Sequence, residues 1–204
     1  MPGPSVSGNN ALKQTVRYTV ADYLSWDDDQ RWELINGEAF AMSPAPTRKH
    51  QKLAGSLYHG LCSFLSDKPC EPYISPIDVF LSPLADQGDD IEDTVVQPDV
   101  LVVCDPSKLA EEGIRGAPDF IAEILSDSTA NKDLTRKRDL YEAHGVREYW
   151  IVSPENGSVL TYTLQDRRFL PVREFRAEES VPSSVISGFI WGPRKAEVPA
   201  ATKK

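Results

Sequence analysis

The sequence predicts an α/β or α+β domain built on a central mixed β-sheet flanked by helices, and three observations point that way. Leu53, Leu57, Leu61, Phe64 and Leu65 recur at helical spacing, which marks an amphipathic helix with one buried face. Runs rich in β-branched and aromatic residues, among them Val95 to Val103 and Glu148 to Val152, read as strands. Asn36-Gly37 between two short strand-like runs marks a hairpin, because the pair supplies the positive φ angles of a tight primed turn.

A chain of 204 residues fits one domain with tails and is long enough to bury a core. Residues 1–14, with Pro2, Gly3, Pro4 and Gly8, have no periodicity and are expected to be a disordered arm; residues 194–204 read the same way. The single domain is then expected over 15–193. No apolar run approaches the ~20 residues that span a bilayer, and no basic-then-apolar leader opens the chain, so the expectation is a soluble, cytoplasmic protein. Cys62, Cys70 and Cys104 are odd in number and lack CxxC spacing, which suits reduced thiols filling apolar gaps. A net charge of −9 argues against non-specific coating of nucleic acid, since that affinity comes from lysine and arginine, but leaves room for a local basic cleft.

The elements follow in order. Thr19 is a fair N-cap for a short helix through Val20, Tyr23 and Leu24, with Asp22 placed to complete a capping box, and the aspartates Asp27 to Asp29 end it. The hairpin joins Trp32–Ile35 to Glu38–Met42, and Ser43-Pro44 closes its second strand. A long helix runs from about His50 to Asp67. Tyr73 to Phe80 reads as one strand, followed by an exposed acidic loop from Ser82 to Asp93. Val95 to Val103 is a strand, then come a turn at Asp105-Pro106-Ser107, a loop with Gly113 and Gly116, and the strand Phe120 to Leu125. Ser126, Asp127 and Ser128 offer caps for a helix over about 132–143 that Gly145 stops. Strands at 148–152, 158–164 and 169–175 complete the domain.

Two of these strands carry a carboxylate inside an apolar run, Asp99 and Glu123, and a buried carboxylate costs several kcal/mol unless it is paired, protonated or metal-bound. Asp119 and Glu123 share a strand face, but four residues at ~3.3 Å each separate their Cα atoms by ~13 Å, too far to share one ion. Asp99 can sit beside Glu123 across neighbouring strands ~4.8 Å apart, which leaves Asp119 at the strand edge. Carboxylates with no nearby histidine or cysteine in the sequence favour a hard cation, magnesium or manganese. A nuclease site also needs a cation to stabilise charge on the phosphate or the attacking water. Leu125 cannot serve. Lys137 shares its helix face with Leu134 and Tyr141 and so points inward, with Arg136 and Arg138 flanking it either as a solvated basic face or as an edge that tracks phosphates. Tyr141 itself reads as core.

The segments Trp32 to Glu38, Met42-Ser43-Pro44, Val96-Gln97-Pro98-Asp99-Val100, Gly116-Ala117-Pro118-Asp119 through Glu123-Ile124-Leu125-Ser126, and Tyr141 through Gly145-Val146-Arg147-Glu148-Tyr149-Trp150-Ile151-Val152 together resemble the Uma family of restriction-endonuclease-like proteins, part of the PD-(D/E)XK nuclease superfamily. The resemblance covers roughly Tyr18 to Val152. It implies a restriction-endonuclease-like fold and magnesium-dependent hydrolysis of phosphodiester bonds in DNA, with Asp99 and Glu123 as metal ligands. The superfamily's lysine two residues after the glutamate is replaced by Leu125, and the resemblance transfers its role to Lys137, with Lys132 the weaker substitute. Glu33 is a further candidate carboxylate for the catalytic site, or else a strand residue paired with Arg31. His50 can contact a phosphate or orient a water, or act as a cap or surface residue. By analogy with nucleases that cut both strands, a homodimer is expected. The rival reading keeps the nuclease-like fold as a catalytically silent nucleic-acid-binding or regulatory module, which the acidic charge and the missing strand lysine favour.

Overall fold

The computed structural model describes residues 16–27, 29–42, 45–81, 92–126 and 133–192. The expected arm and tail, Asp28, Ser43-Pro44, most of the acidic loop, the Asp127 and Ser128 caps, Lys132 and the side chain of Leu134 lie outside the described residues. In chain order the elements are helix α1 (Val20–Leu24), strands β1 (Trp32–Ile35) and β2 (Glu38–Ala41), helix α2 (Arg48–Leu65), and strands β3 (Glu71–Ile74), β4 (Val79–Phe80), β5 (Val95–Val96), β6 (Val100–Val103), β7 (Leu109–Ala110), β8 (Gly113–Arg115) and β9 (Phe120–Ile124). Then follow a π-helical turn (Asp133–Lys137), helix α3 (Arg138–His144), and strands β10 (Glu148–Val152), β11 (Val159–Gln165), β12 (Arg168–Phe169), β13 (Arg173–Phe175), β14 (Val181–Pro182) and β15 (Ile190–Trp191). No helix among the described residues is long and apolar enough to cross a membrane.

The strands form two mixed sheets. The first has the order β2-β1-β5-β4-β8-β7 and the second β12-β11-β10-β9-β6-β3, with β13 also on β11 and β14–β15 as a separate hairpin. Within each sheet one pair is parallel, β4 with β8 and β9 with β10. Alternation along the strands decides what each face buries. Ile35, Val79, Val96 and Ile114 of the first sheet meet Leu101, Ile121, Tyr149 and Ile151 of the second in one shared core. The other face of the second sheet, through Val100, Val102, Phe120, Ala122 and Trp150, packs on Ala54, Leu57 and Leu61 of α2. Each fully buried leucine there contributes about 1.5–3 kcal/mol. Helix α1 covers the outside of the first sheet, where Val20 packs with Leu34, Phe80 and Val95.

The expected caps and turns are present. Thr19 and Asp22 form a reciprocal capping box at α1, Asn36 and Gly37 both take positive φ in the hairpin turn, and Gly145 ends α3 in the left-handed conformation.

Several expectations need correction. Tyr73–Phe80 and Val95–Val103 each read as one strand, yet each is two strands in different sheets: β3 and β6 belong to the second sheet, β4 and β5 to the first. Pro76 and Pro98 explain the breaks, since proline donates no ladder hydrogen bond and restricts the residue before it. The two crossings touch where the Ser75 N–H donates to the Asp99 carbonyl at 3.0 Å. The expected loop with Gly113 holds the β7–β8 hairpin, too short to show alternation, and Pro171 splits the 169–175 run into β12 and β13. The β14–β15 hairpin and the π-helical turn before α3 were likewise not expected from the sequence. Cys70 and Cys104, expected as reduced thiols, are disulfide-bonded, and only Cys62 is free. They directly follow the register Glu71↔Val103 at the end of the β3–β6 ladder, so the pairing comes from strand register and not from sequence spacing.

Candidate active site

The sheet crossing at Gln97-Pro98-Asp99 builds the site. Antiparallel pairing of β6 with β9 sets Val100 opposite Ala122, and one further step sets Asp99 opposite Glu123. Strand β1 brings Glu33 from the first sheet; its alternation sends Leu34 outward under α1 and Ile35 into the core between the sheets. Lys137, at the junction of the π-helical turn and α3, enters the same space.

The Lys137 ammonium bridges two carboxylates, lying 2.7 Å from Glu123 Oε1 and 2.9 Å from Glu33 Oε1. Tyr141, one helical turn on, donates its hydroxyl to the same Glu123 oxygen at 2.9 Å. Residues four apart on a helix share a face, so both donors reach one acceptor. The Gln97 N–H adds a bond to Glu33 Oε1 at 3.2 Å. Asp99 Oδ2 accepts the Ile124 N–H at 2.7 Å and lies 3.1 Å from His50 Nε2. Glu33, Glu123 and Lys137 are only 2%, 4% and 4% exposed, whereas the Asp99 side chain keeps 20%, so the cluster opens to solvent on the Asp99 side. Burial, reinforced by the Glu123 charge, pushes the Tyr141 phenol well above its usual range and keeps it protonated as a donor.

Of the residues named from the sequence, Glu33, Glu123 and Lys137 meet directly and Asp99 stands on the adjacent strand. Glu33 is not held by Arg31, whose guanidinium binds Gln97 Oε1 and, at 3.2 Å, Ser75 Oγ. His50 is buried, placed at the third position of α2 by the Thr47 N-cap. Asp119 stands apart at the start of β9, bonded to the Cys104 N–H at 2.8 Å and Arg147 at 2.9 Å. Arg136 pairs with Glu38 at 3.1 Å and lies over the Phe40 ring, and Arg138 pairs with its neighbour Asp139.

The sequence reading missed Tyr141 and Gln97 as parts of the site. For Tyr141 a signal existed, the four-residue spacing from Lys137. Gln97 gave none, because its side chain is locked by distant residues, Arg31 and, at 2.7 Å, Asp78.

The donor set is compatible with a divalent ion. Glu33 and Glu123 share the Lys137 ammonium and Asp99 stands beside them against His50, so three carboxyl groups and one amine meet in poorly hydrated surroundings. Among the described residues no group of three or more His, Cys, Asp or Glu side chains is arranged to hold a metal ion, so any ion here would rest on one or two carboxylates and water.

Two mixed sheets, with carboxylates at a sheet crossing and a lysine delivered by the following helix, define a restriction-endonuclease-like α/β fold. Residues 20–193 match the Uma2 family, described as "Putative restriction endonuclease", and the chain belongs to that family. It thereby stands among the restriction-endonuclease-like nucleases. A solved structure with the same fold, titled "a putative nuclease belonging to DUF820" from Anabaena variabilis ATCC 29413, superposes with a TM-score of 0.64 at 19% identity, over 83% of this chain and 90% of the other. No curated protein matches the chain.

Proposed function

We propose that the chain is a magnesium- or manganese-dependent endonuclease that hydrolyses phosphodiester bonds in DNA. The observation that carries this reading is the buried Lys137 ammonium bridging Glu33 and Glu123 beside Asp99. Asp99 and Glu123 would hold the divalent ion, which when bound acidifies water and polarises a phosphate oxygen. Lys137 stabilises the negative charge that develops on the phosphate or positions the attacking water, in a pocket dry enough to strengthen the effect. Glu33 keeps the lysine in place from the opposite sheet, so that its position does not depend on Glu123 alone. Tyr141 fixes the rotamer of Glu123 through a neutral hydrogen bond that leaves the carboxylate charge intact.

The test is incubation with supercoiled DNA and manganese. Wild type is expected to nick, and Asp99→Ala and Lys137→Ala to nick far more slowly. Equal rates in all three would point to the silent module instead. A calorimetric manganese titration isolates the metal step: the binding heat should disappear in Glu123→Ala, and unchanged heat would remove that ligand.

A further inference from the structure

We infer that His50 is a positioning residue of the site, holding Asp99 by one oxygen so that the other is presented for binding. This rests on reading Asp99 as a ligand of the divalent ion.

Asp99 lies just outside β6, where the chain has left one sheet and entered the other, so the ladder does not fix its carboxylate. Two donors do. The Ile124 N–H binds Oδ2 at 2.7 Å from the end of β9, and His50 Nε2 lies 3.1 Å from the same oxygen. Among the described residues Oδ1 takes no hydrogen bond, and the side chain keeps 20% exposure. One oxygen is therefore approached from two directions, and the other is left for a ligand, on a side chain that stays partly exposed.

His50 comes from a third element, helix α2. Helix α2 packs on the far face of the second sheet, and its Thr47 cap sets His50 in the first turn beside the crossing. The contact ties the open end of the site to the most extensively packed helix. For Nε2 to donate, the ring must carry its proton there, the Nε2–H tautomer when neutral. A partner that orients a metal-binding carboxylate in this way typically accounts for ~10–100-fold in metal affinity.

The glutamine amide nitrogen can reach the place of Nε2, whereas asparagine reaches only that of Nδ1. His50→Gln, His50→Asn and His50→Ala thus separate the hydrogen bond from mere occupancy. In calorimetric titrations of full-length protein with manganese, His50→Gln should bind within ~3-fold of wild type, and His50→Asn and His50→Ala about 10-fold or more weaker. Wild-type affinity in His50→Asn, or equal weakening in Gln and Asn, would overturn the inference. Because Gln and Asn differ by one methylene, their comparison stands even where alanine perturbs folding. Nitrogen NMR of the metal-free protein at mildly alkaline pH supplies an independent readout. His50 should be the Nε2–H tautomer in wild type and lose that preference in Asp99→Asn; an Nδ1–H tautomer would rule the hydrogen bond out. If Asp99→Ala binds manganese as well as wild type, the metal reading itself fails, while the tautomer still decides for or against the contact.

Discussion

Lys137 is the residue on which the site depends, because an ammonium this deeply buried is tolerable only between Glu33 and Glu123. Removing it leaves two carboxylates facing one another without water. Lys137→Ala is therefore expected to lower unfolding free energy by about 3–5 kcal/mol in urea titrations without metal, with part of the loss recovered in Lys137→Ala/Glu33→Gln. Removing the Tyr141 hydroxyl is milder: Tyr141→Phe should cost roughly 1–3 kcal/mol, since Glu123 keeps its lysine. Tyr23, Tyr73 and Tyr141 share a pH consequence. Burial raises each phenol, in Tyr73 to about 12, with nearby Asp78 (at Tyr23), Glu71 (at Tyr73) and Glu123 (at Tyr141) adding to it. The folded state then keeps protons that the unfolded chain gives up near the ordinary tyrosine value of ~10. Their contribution is complete below ~10 and is lost as pH rises through the folded values, so the melting temperature should fall steeply above that point. A flat alkaline profile would contradict the burial of these hydroxyls.

At the scale of elements, the helix after β9 delivers the lysine, and its end is set by Gly145 at φ 85°. Gly145→Ala forces a side chain into the left-handed region and should cost about 1–2 kcal/mol, read as a lower melting midpoint. Elements such as this were legible in the sequence because a local chemical signal marks their ends: Thr19 with Asp22, Asn36-Gly37, and Gly145. The sheet crossings were not, since Tyr73–Phe80 and Val95–Val103 keep apolar, strand-forming residues on both sides of Pro76 and Pro98, and nothing local says that the two halves join different sheets. The same divide runs through the site. Asp99 and Glu123 stood out as carboxylates in apolar strands, and Lys137 by its helical facing. The contact of His50 with Asp99, and that of Gln97 with Glu33, depend on how separate elements pack, which no spacing along the chain encodes.

The whole molecule is two sheets joined by chain crossings, with the candidate site at one crossing and a covalent clamp at the opposite end of β6. The Cys70–Cys104 bond closes a loop across 34 positions of sequence. Reducing it, or substituting Cys104→Ala, should lower stability by about 3–4 kcal/mol in denaturant titrations, through the greater freedom of the unfolded chain. The net charge of −9 has a second whole-molecule consequence. A strongly basic protein can bind DNA by charge alone, whereas on the proposed reading binding here would rest on local contacts at the site, with a divalent ion offsetting its carboxylates. The most direct test is therefore the rate of supercoiled-DNA nicking as manganese is titrated from a chelated start, in wild type and in a folded Lys137→Met variant. The account predicts no nicking in chelator, a rate that rises and saturates with the metal, and a fall of about 100-fold or more in the variant at saturation. Nicking that persists in chelator, or a variant that cuts at the wild-type rate, would contradict it.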